Sequence, residues 1–146
     1  MLIPHKALIL TLDGGNMQLL CNEGPLSKPK LVMLHKAHND NPPDHVAMAD
    51  RSGRIFESGG PMRHDYEATS VHDRHEQSFG IEGLEILAQE NQTNAPVIIV
   101  APPRMLGFLR TQMDETMQNL LIAEVAKDLA CAPVNDVCEF LASYGD

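Results

Sequence analysis

The chain has 146 residues, 43% of them hydrophobic and 21% charged, which is the composition of one folded domain and excludes a disordered segment. Its formal net charge of −9 excludes a general nucleic-acid binder, because phosphate contacts need Lys and Arg, but leaves room for a local basic patch. No apolar run approaches the roughly 20 residues of a membrane helix, and Leu2-Ile3-Pro4-His5-Lys6 lacks a signal-peptide core.

Residues 6–12 (KALILTL) and 16–21 (NMQLLC) read as two strands joined by Asp13-Gly14-Gly15, a hairpin signal because glycine reaches positive φ without a Cβ penalty. The first is almost continuously apolar, which predicts burial on both faces. Residues 30–34 (KLVML) predict a third strand. From about 35 to 70 turn chemistry recurs at Asn41-Pro42-Pro43, Ser52-Gly53 and Gly59-Gly60-Pro61, predicting a long irregular loop with at most one short strand or helical turn. Thr69 or Ser70 is the expected cap of a long helix, with Asp73 and Glu76 in its first turns, ending at Asn91 or Asn94. Gly80 and Gly83 inside it predict a close helix–sheet approach.

Val97 to Ala101 is a run of β-formers that turns through Pro102-Pro103 into a helix with Arg104 in its first turn. Leu106, Leu109 and Met113 line that helix's inner face. Residues 120–125 (LLIAEV) predict the last strand, and Pro133 opens a terminal helix with Val134, Val137, Cys138 and Leu141 on one side. Helix between the two later strands implies a right-handed parallel crossover. The fold class expected is α/β, a single three-layer domain with a mixed sheet of about five strands and helices on both faces.

Several residues qualify for chemistry. In open α/β sheets ligands gather outside the carboxyl ends of the strands, where Asp13, Arg104 and Lys127 would sit. His72 and His75 share one helix face, yet HxxHE is not the HExxH arrangement that places two ligands over one zinc, and no metal site is expected. Ser58-Gly59-Gly60-Pro61 lacks a phosphate-loop pattern and reads as a plain turn. Arg51 and Arg54 place positive charge in the long loop, interleaved with Asp50 and Glu57. No GxSxG elbow is present, and Cys21, Cys131 and Cys138 read as reduced thiols of a cytoplasmic protein.

The order of motifs resembles the bacterial host-attachment protein family. ILTLDGGNMQLL (9–20), DRSGRIFES (50–58), HDRHEQSFGIEGLEILAQ (72–89), VIIVAPPRMLGFLR (97–110) and EVAKDL (124–129) carry the resemblance, which covers residues 7–142. That family is in turn similar to the middle domain of archaeo-eukaryotic peptide release factors, which implies a ribonuclease H-like fold and a role at the ribosome. Those factors carry a catalytic Gly-Gly-Gln, and the equivalent region here is Gly59-Gly60-Pro61 with no Gln after the glycines. Proline also lacks the backbone donor.

The expected function is therefore a non-catalytic binding protein of release-factor ancestry, partnered by ribosome, tRNA or a translation factor. No cofactor, membrane or DNA partner is expected. Its surface would use Asp13, Arg51, Arg54, His72, His75, Arg104 and Lys127. Two alternatives stay open. One is a small hydrolase with His72 or His75 as base and Arg104 holding an anion. The other is a surface adhesion factor, against which the missing export signal weighs.

Overall fold

The computed structural model describes residues 1–39 and 61–145, with 61–73 described as helical backbone only. Among the described residues nine elements follow in order: β1 (Leu8–Leu12), β2 (Asn16–Asn22), β3 (Leu31–His38), α1 (Pro61–Glu90), β4 (Val97–Ala101), α2 (Pro103–Gln112), α3 (Glu115–Leu120), β5 (Leu121–Ala126) and α4 (Val134–Ser143). They form one α/β domain around a five-stranded mixed sheet of order β3-β2-β1-β4-β5. The first three strands are antiparallel neighbours, while β1 pairs β4 in parallel and β4 pairs β5 in parallel.

Period-two alternation sorts the strands' side chains into two cores. Leu8, Leu10, Leu12, Met17, Leu19, Val97 and Ile99 pack with Phe79 and Leu87 of α1, Leu106 and Leu109 of α2, and Met117 of α3. Ile9, Leu20, Ile98, Val100 and Val125 pack on the other face with Val137 and Leu141 of α4. The three layers follow: α1, α2 and α3 on one side, α4 on the other. Every residue of β1 and β4 is buried, as continuous apolar runs in a central strand require.

Several boundaries differ from expectation, each for a local reason. β1 begins at Leu8 rather than residue 6, because Lys6 takes a left-handed φ of 71° while its N–H reaches the Asn22 carbonyl at 2.7 Å. β3 runs on through His35 and Lys36 to His38, since register with β2 overrides the polar composition that suggested a loop. The long helix starts at Pro61, well before Thr69 and Ser70. Proline suits the first helical position, where its missing donor costs nothing, and residues 62–69 contain no breaker. Ser70, Asp73 and Glu76 are thus interior helix positions and not a cap. Its end is as expected: Asn91 accepts from the Ala95 N–H at 2.8 Å and Asn94 takes φ 54°. A short helix not anticipated, α3, is capped by Asp114, whose carboxylate accepts from Met117 N–H at 2.8 Å.

Of the two helix glycines, Gly83 meets the sheet, where an added Cβ would lie 3.3 Å from Met17 Sδ and 3.4 Å from Leu12. Gly80 instead faces α2, where an added Cβ would lie 3.0 Å from Met105 Sδ and 3.3 Å from Leu109.

Candidate functional site

β1, β4 and β5 all end at one margin of the sheet, so Asp13, Pro102 and Lys127 leave their strands together. The β1–β2 turn is held by its own first residue. Asp13 Oδ1 accepts from the N–H groups of Gly15 and Asn16, both at 2.7 Å, and Asp13 N–H donates to the Asn16 carbonyl at 3.0 Å. Neither Gly14 nor Gly15 adopts the left-handed φ expected of this hairpin. Gly14 makes room in a different way: a Cβ there would fall on the carboxylate of Glu76, which reaches the turn from α1. At Gly15 the nearest atom to such a Cβ is 3.8 Å away, ordinary contact distance.

From the other side comes the β4–α2 junction. Pro102 flanks α2 with φ −58° and ψ 153°, Pro103 opens the helix, and Leu106 N–H returns to the Pro102 carbonyl at 2.9 Å. Arg104 is exposed in the first turn, at the positive end of the helix dipole. The helix dipole disfavours a cation there by about 0.3–1 kcal/mol. Between these elements lies a cleft of about 230 Å³. Among the described residues it is lined by Gly14, Glu76, Gln77, Pro102, Arg104, Met105 and Phe108. The set pairs one guanidinium, one carboxylate and one amide with a thioether and an aromatic ring. Such a wall can hold a phosphate or carboxylate against Arg104 while a flat apolar group packs on Phe108 and Met105.

The remaining expected residues divide. Asp13 braces the turn that supplies Gly14. His75 is half-buried on α1 beside the cleft-lining Glu76 and Gln77 but does not itself line the cleft. The side chain of His72 lies outside the described residues, as do Arg51, Arg54 and the Gly59-Gly60 pair. Lys127 leaves the margin in the opposite direction: its ammonium sits 5.6 Å from the Phe140 ring centre on the α4 side, a cation–π contact. It does not meet Arg104 in the cleft. Among the described residues no group of three His, Cys, Asp or Glu is placed to hold a metal ion.

Beside Asp13 stands a carboxyl the sequence reading did not single out, Asp128. Partial burial, and next the neighbouring Asp13 charge, push its pKa up, while the Ala130 N–H, donating at 3.3 Å, pulls the other way. Phe108 and Gln77 were also missed. Asp128 was reachable from the same rule that nominated Lys127, as a polar residue at a parallel strand's carboxyl end. Nothing local marks Phe108 or Gln77, because their role depends on how α1 and α2 cross.

Over residues 6–141 the chain matches the family described as bacterial archaeo-eukaryotic release factor family 12. No curated protein matches it. No helix among the described residues is long and apolar enough to cross a membrane.

Proposed function

Because the chain belongs to bacterial archaeo-eukaryotic release factor family 12, we propose that it is a cytoplasmic binding module that docks on tRNA or on a ribosomal RNA end through the Arg104 cleft, without a hydrolytic step of its own. The observation that carries this reading is the cleft's mixed lining at the carboxyl ends of β1 and β4. Arg104 at a helix start meets a phosphate oxygen pair, Phe108 and Met105 receive a base face, and Glu76 or Gln77 takes the base edge or a ribose hydroxyl. At about 230 Å³ the space is below the range of drug-sized pockets and suits one nucleotide unit. The absence of Gln after Gly59-Gly60 supports binding in place of ester hydrolysis.

The test is direct. Purified protein is titrated with deacylated tRNA and with ribosomes over a series of salt concentrations. Arg104→Glu is expected to weaken binding about tenfold or more and to reduce the salt slope by about 1, the signature of one lost phosphate contact. Binding that ignores both the substitution and the salt would overturn the proposal.

A further inference from the structure

Charge is unevenly spread over this molecule, and the unevenness coincides with a strand that has one neighbour in the sheet among the described residues. Residues 24–39 contain Lys28, Lys30, Lys36, His35 and His38 and no Asp or Glu. Everywhere else eight basic residues face twenty acidic ones. This basic stretch is β3 and its approach, and β3 is the outer strand of the sheet, with β2 as its neighbour. None of the three lysines has an ion-pair partner among the described residues.

The same stretch is also where apolar side chains remain outside. Leu26 is 46% exposed, Val32 38%, Met33 38% and Leu34 41%, half of the eight large hydrophobic residues left exposed among those described. Val32 opposes Cys21 and Met33 opposes Leu20, so the two stand on opposite faces of the sheet. Leu34 falls at a bulge and opposes no residue of β2. The strand is held rigid at both ends. Buried Asn22 accepts from Lys30 N–H at 2.8 Å, and Asn39 N–H donates to the Gly15 carbonyl at 2.8 Å. An edge already fixed in extended geometry loses little entropy on pairing.

From these observations we infer that β3 is a docking edge for an extended acidic segment of another polypeptide, added as a sixth strand. Backbone N–H and C=O groups of an outer strand supply the pairing, and aliphatic side chains on both faces of the guest cover Val32 on one side and Met33 on the other. Glu or Asp residues of the guest answer Lys30 and Lys36. A second copy of this chain is a poor occupant, because edge-to-edge pairing would lay one basic row along another. Single-stranded RNA is the other anionic candidate. Yet β3 offers only the imidazoles of His35 and His38 for base stacking and no Phe, Tyr or Trp, and its aliphatic side chains would go uncovered. This edge lies across β2 and β1 from the Arg104 junction, so the inference does not depend on the function proposed above.

The experiment uses the full chain and a fluorescein-labelled octapeptide in which Glu-Glu and Val-Val pairs alternate, so that each face of the extended peptide carries both residue types. Its Lys-for-Glu counterpart, a version N-methylated at alternate residues and a poly(U) oligomer serve as comparisons. Saturable binding of the acidic peptide is expected. It should weaken about tenfold in Lys30→Glu/Lys36→Glu and also on N-methylation, while Arg104→Glu leaves it unchanged. Raising salt from about 50 to about 500 mM should reduce but not abolish it. Lys30→Gln/Lys36→Gln, which adds no charge, should show a smaller loss and an unshifted Tm, separating recognition from folding. Amide exchange should slow along β3 when the peptide is bound. The inference is overturned by absence of saturable peptide binding, by equal binding of the N-methylated peptide, by poly(U) displacing the peptide in preference, or by a concentration-dependent dimer that alone protects the β3 amides.

Discussion

Gly14 and Asp128 show how single positions at this sheet margin are set by neighbours remote in the chain. A methyl group at Gly14 displaces the Glu76 carboxylate, the far end of a flexible side chain, so Gly14→Ala should cost less than about 1 kcal/mol in stability. It should nevertheless change tRNA affinity several-fold, since the displaced carboxylate lines the cleft. Gly15→Ala, with nothing closer than 3.8 Å, should change neither; thermal melts and the binding titration check both. Asp128 has a carboxyl pKa raised first by burial and then by the Asp13 charge. A carboxyl raised on folding contributes stability that is complete below its unfolded pKa, near 3.9, and is lost as pH climbs through the folded value. Above that folded value Asp128 bears a charge beside that of Asp13, and the repulsion opposes folding. Asp128→Asn keeps an oxygen acceptor for the Ala130 N–H and removes that repulsion. The variant should be the more stable at pH 7, and the difference should shrink toward pH 4 in denaturant titrations. The gain is small, because Asp128 is mostly exposed and water screens it.

Elements meet through their glycines, and helix α2 separates two uses of that residue. Gly107 lies on its exposed side with no atom within 4 Å of an added Cβ, so it has only the entropic cost of glycine in a helix. Gly107→Ala should stabilise the domain by about 0.5–1 kcal/mol, a rise in Tm of about 1–4 °C. Gly80 of α1 is buried against the same helix, and alanine there must push back Met105 and Leu109. Gly80→Ala should lower stability by about 1 kcal/mol or more despite its better helix propensity. The contrast, read from paired melting curves, measures how closely α1 and α2 approach. That approach also positions Glu76 and Gln77 opposite Arg104, so loss of packing at Gly80 should weaken the cleft as well.

At the scale of the whole molecule, Gln18 ties the sheet to the chain after β5. It is buried, and its amide donates to the Ala130 carbonyl at 2.6 Å and to Ala132 at 2.9 Å. Gln18→Ala strands two carbonyls, and a loss of about 1–3 kcal/mol is expected in chemical denaturation. Local pattern was enough for much of this architecture. Alternation and continuous apolar runs made β1, β2, β4 and β5 legible, and the Pro102-Pro103 step into α2 is visible because proline has one conformational meaning there. The same patterns led, through the parallel-strand rule, to Asp13 and Arg104 at one margin. They misjudged β3 and the start of α1, where polar residues follow a sheet register and a helix continues past residues that usually cap one. Periodicity has no term for company across space. That Glu76 comes to rest on Gly14, that Lys127 turns to Phe140 and away from Arg104, and that Asp128 stands beside Asp13 are consequences of how the layers pack. Those contacts join residues far apart in the chain, and close packing selects them only once every element is in place.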